Sequence, residues 1–345
     1  MDTSRARACG IALGFLVDAA LADPSRRHPV AGFGAVASRL EGLLHPPADT
    51  GEAHETAGAH DTTAGRVAVR ARGVVFTVVL VGGVTAAARG LDSAVATRPA
   101  LRVATTAATV WACLGGTSLL RIARRQAELL ERSDVEGSRR LLPWLCGRVP
   151  GALDAGQLAR AVVESVAENT SDAAVATLFW AGLAGPAGAA AHRAANTLDA
   201  MVGHRSPRYL DFGWASARLD DVLGWPAARL AGLLTAAVAP VVSGRPAEAI
   251  RIWRRDASSH PSPNAGVAEA SCAGALGVRL GGPTPYPYGT EQRPGLGDGP
   301  APRPVDIRRA VRLMRAVQIG AAVAAVCAAA AGVPGARSGL RGSAD

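Results

Sequence analysis

The chain alternates long charge-free stretches with short, densely polar blocks. Charge-free runs cover residues 73–88, 103–120, 173–191, 230–244 and 316–336, and a shorter apolar stretch runs from 9 to 22. A bilayer-spanning helix needs about 20 predominantly apolar residues. The runs at 103–120, 173–191 and 316–336 meet that length, whereas those at 73–88 and 230–244 are short, rich in Ala and Gly, and also suit buried helices of a soluble core. Together they predict an all-α fold: a polytopic integral membrane helical protein whose polar loops form the active site. The 9–22 stretch follows Arg5 and Arg7 as a signal peptide would. Asp18 and Asp23 interrupt it and no clear cleavage site follows, so it is expected to stay as a first helix.

The expected organisation is one membrane domain over residues 1–335. Residues 46–65, poor in apolar bulk and rich in turn formers, predict a flexible insertion. Prolines and glycines dominate 283–304, so 252–305 is expected to be an irregular polar loop. Residues 336–345 are expected to be a disordered tail.

The first polar block runs from Arg160 to Asp172. Arg160, Glu164, Glu168 and Asp172 are each four apart, which places them on one slowly drifting helix face. Three carboxylates on one stripe repel unless something positive lies among them. Mg²⁺, which binds hard oxygen ligands and often meets the protein through one or two carboxylates, is one answer. A solvated face with an Arg160–Glu164 pair is the other. The second block holds His192, Arg193, Asn196, Asp199, Arg208, Arg218, Asp220 and Asp221, and the third holds His260, Asn264, Glu269 and Arg279. A full crossing by 173–191 would leave the first two blocks on opposite faces. Gly182, Gly185-Pro186 and Gly188 predict a broken or re-entrant hairpin that returns them to one face.

Net charge is +9 and all 37 basic residues are arginine, because the chain contains no lysine. That excludes a Walker A lysine and any Schiff-base lysine. Arginine fills every basic role here, so basicity points to anionic lipid and cytoplasmic loops rather than to nucleic acid. The five cysteines are scattered, with no C-x-x-C and no histidine at zinc-ligand spacing. Neither a disulfide framework nor a structural zinc site is indicated.

Longer strings are more specific. Gly14-Phe-Leu-Val-Asp18, Asp23-Pro24 and His28-Pro29-Val30 precede the Arg160-Ala-Val-Val-Glu164-Ser-Val-Ala-Glu168-Asn-Thr-Ser-Asp172 string. Asn196-Thr-Leu-Asp199-Ala-Met201-Val-Gly203, Asp211-Phe-Gly-Trp214 and Ala217-Arg218-Leu-Asp220-Asp221 follow, then His260-Pro-Ser-Pro-Asn264-Ala-Gly and Gly274-Ala-Leu-Gly-Val-Arg279-Leu-Gly-Gly282. In this order they resemble the CobD/CbiB family of cobalamin biosynthesis proteins over most of the chain. Departures are the 46–65 insertion, Thr177 in place of a proline, His192-Arg193 in place of Tyr-Lys, and an approximate aromatic-glycine segment at Tyr286-Pro-Tyr288-Gly289.

The resemblance implies an enzyme of the inner membrane with its active site facing the cytoplasm. It would join the free propionate carboxylate of adenosylcobyric acid to (R)-1-aminopropan-2-ol or its O-phosphate, as an ATP-dependent acid–amine ligase. Mg²⁺ and ATP come with the family, since a carboxylate must be activated before an amine will attack it. Implied partners are these substrates, membrane lipid and other corrinoid-pathway enzymes, with no nucleic acid.

On that reading Glu164, Glu168 and His260 are the catalytic candidates, and Asp172, Asp199, Asp220 and Asp221 the metal candidates. Arg160, Asn196, Arg208, Arg218, Asn264 and Arg279 would meet substrate or phosphate. Ordinary roles compete: Asp220 and Asp221 point different ways on a helix, so one can simply pair with Arg218 or Arg229. His260 can be a turn residue. Trp180, Phe212, Trp214 and Trp225 are expected to line a groove for the corrinoid, or to be interfacial anchors. The alternative function is transport of a corrinoid or an amine, which predicts polar residues in the middle of several spans.

Overall fold

Five helical stretches have the length and apolar content to cross a bilayer: Thr63–Ala94, Pro99–Glu131, Ala155–Val202, Trp214–Val242 and Pro304–Ala330. Three of them contain a charge-free run whole, and Trp214–Val242 and Pro304–Ala330 cover most of the runs 230–244 and 316–336. The computed structural model describes residues 1–23, 28–45, 63–151, 153–204, 206–286 and 289–332. The expected insertion up to residue 62 and the expected 336–345 tail lie outside them.

Burial separates the stretches. In the apolar window of α3 (Thr63–Ala94) only 22% of residues are buried, against 72% in Ala155–Val202. Val74, Val75, Val78 and Val79 on α3 are exposed, a surface that lipid tails solvate at no cost. α3 is therefore peripheral and Ala155–Val202 central.

Around that centre pack α1 (Thr3–Leu21), α2 (Pro29–Leu44), α4 (Pro99–Cys113), α5 (Gly116–Glu131), α9 (Trp214–Val238) and α12 (Pro304–Ala330), with the short α6 (Val135–Leu141) against α5. α1 meets α4 through Gly10 and Gly14, one turn apart. A Cβ at Gly10 would lie 2.5 Å from Thr106 Cβ, and one at Gly14 would lie 2.7 Å from the Ala107 carbonyl oxygen. Small residues at this spacing let backbones approach closely, and such van der Waals contact replaces the hydrophobic drive that lipid removes.

The central stretch is one helical hairpin. α7 (Ala155–Asn169) starts on a capping box, with Asp154 accepting from the Gln157 N–H and Gln157 returning to the Asp154 N–H. A π-turn, Thr170–Ala176, joins it to α8 (Thr177–Val202). Within α8 the chain reverses at Gly185, whose φ of 68° belongs to glycine, just before Pro186. The expected hairpin is thus present.

Its arms touch: a Cβ on Gly188 would lie 2.5 Å from the Trp180 carbonyl oxygen, although eight helical residues span about 12 Å. Gly188→Val is expected to open the hairpin, lowering both folded yield and the thermal midpoint in detergent. Leu183→Val, a smaller side chain at a half-buried position on the facing arm, is expected to be mild.

Residues 252–305 are not an irregular loop, and that expectation is corrected. They contain the end of α10 (Pro246–Asp256), α11 (Ala265–Leu276) and an antiparallel hairpin of β1 (Leu280–Tyr286) and β2 (Gly289–Leu296). Every residue of α11 is buried. A helix apolar on all sides has no amphipathic period to read from sequence. The strands carry Pro283, Pro285 and Pro294, which a two-stranded ribbon tolerates because it consists only of edges.

Candidate active site

Two helix faces and the hairpin converge on Glu164. Its Oε1 accepts the Gly281 N–H at 2.6 Å, and its Oε2 is ion-paired to Arg148. Both partners are almost fully buried. One turn earlier Arg160 donates to the carbonyl oxygens of Gly281 and, at 2.6 Å, Pro283. Arg160 and Glu164 thus clamp β1 to α7, and both Glu164 oxygens are engaged by protein partners.

Glu168 differs. It is half-buried and lines a cavity of about 230 Å³ with Arg148, Ser165, Asn169, Tyr286 and Arg293. No described residue donates a hydrogen bond to it, which leaves its carboxylate for whatever enters. A second cavity of about 280 Å³ is bounded by Arg160, Arg279, Gly281, Gly282, Arg293 and Gly295. Arg293 borders both cavities. Its Nη1 lies 3.4 Å from Glu269 Oε1, and its guanidinium sits 6.0 Å from the Tyr286 ring centre.

His260 stands behind this wall. Its Nδ1 lies 3.0 Å from the Ser262 nitrogen and 3.1 Å from the Ser262 carbonyl oxygen, and its Nε2 lies 3.7 Å from Glu269 Oε1. Burial, followed by the neighbouring Arg293, holds the imidazole below its ordinary pKa. It is therefore neutral at pH 7 and faces Glu269 rather than either cavity.

Glu269 is raised well above the usual carboxylate range by burial, then by Glu164 and Glu168. A raised carboxyl binds more protons folded than unfolded, so its contribution to stability is present at low pH and is lost as pH rises through the shifted value. Glu269→Gln is expected to flatten that dependence and raise the thermal midpoint more at pH 8 than at pH 5. An equal shift at both would refute it.

A third group starts within the π-turn. The wider winding there leaves Asp172 within electrostatic reach of Asp220, Glu168, Asp199 and Arg193. Asp199 and Asp172 sit on opposite arms of the hairpin. Asn196 is a hydrogen-bonding neighbour of Asp220, and Asp220 Oδ1 is buried without a partner. Glu168 reaches all three aspartates electrostatically and links this group to the first cavity. Among the described residues no three His, Cys, Asp or Glu side chains converge closely enough to hold a metal ion by themselves.

Other expected residues stay apart. Arg208 pairs with Glu41 at 3.0 Å and the His45 carbonyl at 2.7 Å. Arg218 is exposed and lies 3.5 Å from Asp221. Asn264 is a brace, donating to the Asp221 carbonyl and accepting from Arg229, each at 2.9 Å. Phe212 does not line a groove. It is fully buried, stacked on His45 at 4.6 Å and beside Phe76 at 5.1 Å. Trp214 and Trp225 are exposed, and Trp180 donates to the Leu223 carbonyl.

Sequence reasoning gave no role to Arg148, Arg293 or Glu269. Arg148 sits beside Pro150 and Gly151, and Arg293 lies in a Pro/Gly-rich stretch, where no periodicity marks a site. Glu269 did leave a signal, being the lone charge in the apolar string of α11.

Comparison with known proteins adds an independent line. The family described as CobD/Cbib protein matches residues 11–314. The "Cobalamin biosynthesis protein CobD" of Mycobacterium tuberculosis (strain ATCC 25618 / H37Rv) is 51% identical over 328 residues, 94% of this chain and 96% of that protein. The protein of the same description from Chromobacterium violaceum is 39% identical over 302 residues, 88% of this chain and 90% of its own length. No solved structure matches.

Proposed function

Because this chain belongs to the CobD/CbiB family of cobalamin biosynthesis proteins, we propose that it forms the amide between the free propionate carboxylate of adenosylcobyric acid and (R)-1-aminopropan-2-ol or its O-phosphate. The observation that supports this chemistry most directly is Glu168, a carboxylate with no hydrogen bond from any described residue, in a cavity that also holds Arg148 and Arg293. Amide formation from an acid and an ammonium needs a base and a cationic cradle in one place. Among the described residues, this cavity offers both.

The division of labour follows from the contacts. Arg293, bordering both cavities, and Arg148 receive the propionate arm and the negative charge that develops as it is activated. Glu168 accepts the proton that the ammonium must lose before its nitrogen can attack. Arg160, held on two strand carbonyls, keeps the 280 Å³ cavity positive and its glycine-lined wall open to a phosphate. His260 and Glu164 position Glu269 and β1 and do not touch the reacting atoms. Cavities of 230 and 280 Å³ admit a side arm and a small amine, not a corrin ring, so the ring stays outside.

ATP would supply the phosphoryl group that converts the carboxylate to an acyl phosphate, which leaves as phosphate when the amide forms. Mg²⁺ suits the donors on hand: Asp172, Asp199 and Asp220 offer hard oxygens, and Asp220 Oδ1 lacks a partner. An ion that arrives with its nucleotide needs only one or two carboxylates from the protein. Asp220 and Asp172 would hold it and offset phosphate charge.

The test is incubation of the lipid-reconstituted protein with adenosylcobyric acid, Mg-ATP and each amine, followed by mass analysis of the corrinoid. A gain of the amide mass that requires ATP supports the ligase and identifies its amine. Corrinoid uptake into vesicles with no amide product would replace this reading with transport.

A further inference from the structure

Asp18 and Asp23 have no part in the site described above, yet they bring buried polar atoms close to one another. Asp18 is 1% exposed; its Oδ2 accepts from the Thr117 hydroxyl at 2.8 Å and the Thr117 N–H at 3.2 Å. Among the described residues its Oδ1 is buried with no hydrogen-bond partner, and so is Arg193 Nε; Asp23 Oδ1 is buried with only His28 Nε2, 3.6 Å away, near it. Buried polar atoms in native proteins are almost always satisfied, so the unpartnered Asp18 and Arg193 atoms mark a place open to a ligand.

Gly115 shows how they are arranged. Asp23 Oδ2 and Arg193 Nη2 each lie 3.8 Å from the point a Cβ on Gly115 would take. No ion pair joins them, and the Arg193 guanidinium has no hydrogen bond or ion pair among the described residues. Two opposite charges this near would collapse into a salt bridge unless their backbones held them apart, and a gap bounded by both signs matches a molecule that carries both. The gap adjoins the main site, because Asp172 is within electrostatic reach of Arg193. An apolar cavity of about 190 Å³, lined by Val30, Phe33, Ala112, Ala190 and Arg193, opens beside it and suits a short hydrocarbon chain.

We propose that Asp23 and Arg193, facing each other across Gly115 with Asp18 behind, form the subsite for the amine substrate: a small primary ammonium bearing a hydroxyl or phosphate. This rests on the amide-forming reading above. Asp23 and Asp18 take the ammonium, and Arg193 takes the oxygen-bearing end. Asp23 is steadied by His28, whose Nε2 lies 3.6 Å away. The three-carbon chain lies toward the apolar cavity, and the amine leaves this subsite toward Asp172 and Glu168.

The experiment is equilibrium dialysis of the detergent-solubilised full chain, with adenosylcobyric acid present, against radiolabelled (R)-1-aminopropan-2-ol and separately its O-phosphate. Corrinoid retention is read by absorbance in the same cells. Asp23→Asn is expected to weaken both amines by roughly 10- to 100-fold, the usual loss of a charge-assisted hydrogen bond. Arg193→Met is expected to weaken the phosphate far more than the alcohol, with Arg193→Lys retaining most of the phosphate affinity and corrinoid retention unchanged throughout. Unchanged amine affinity in Asp23→Asn and Arg193→Met overturns the subsite, as does an unmodified protein that binds neither amine. Amine binding that these variants abolish, in a protein that forms no amide, would leave the subsite standing and remove the ligase reading instead.

Discussion

Glu168→Gln is expected to lower amide formation by about 100- to 10,000-fold, the range general-base groups supply, while corrinoid binding and the thermal midpoint stay near those of the unmodified protein. The substitution is nearly isosteric, and Glu168 is half-buried without a hydrogen bond from any described residue. No hydrogen bond among the described residues therefore depends on its charge. Glutamine cannot take the proton that the ammonium must lose. Single-turnover rates across pH provide the check: the variant's remaining rate should rise with pH as free amine becomes available, whereas the unmodified enzyme should level off. A variant within threefold of the unmodified protein would remove Glu168 from the chemistry.

Arg148→Met is expected to cost about 3–5 kcal/mol of stability, because it leaves Glu164 as a buried carboxylate with no cation in direct contact. The size follows from burial: the Arg148 and Glu164 side chains are 5% and 0% exposed. Arg160 does not replace the lost partner, since its Nε is 3.9 Å from Glu164 and its Nη groups are committed to β1 carbonyls. The double variant Arg148→Met with Glu164→Gln should recover most of the loss, because a glutamine oxygen can still accept the Gly281 N–H. Pairing Arg148→Met with Glu164→Leu should recover less, since it orphans that N–H at about 1–3 kcal/mol. Tryptophan-fluorescence melts in detergent would rank the four proteins. Equal recovery by both double variants would show that Glu164 does not anchor the strand.

On these expectations stability and catalysis separate one turn apart on α7. Glu164 and Glu168 read alike in sequence, as two carboxylates on one helix face. The first is fixed by Arg148 and a strand amide, and the second is left to a cavity. Such a split is invisible to periodicity, because it is set by what packs on the face rather than by the face itself.

The sequence by itself determined the membrane-length helices, since a run of roughly 20 residues without charge has one stable way to satisfy its backbone in lipid. It also determined the reversal in Ala155–Val202, because glycine at positive φ next to proline is a local steric matter. The family was legible from strings in fixed order. Only the tertiary structure decided that Asp172 meets Asp199 and Arg193, that Arg208 and Arg218 stand apart, and that α11 is a buried helix behind a proline-bearing hairpin. Those outcomes depend on contacts between residues tens to more than a hundred positions apart. The free energy of burying a charge depends on whether its partner arrives there, and no local pattern encodes that.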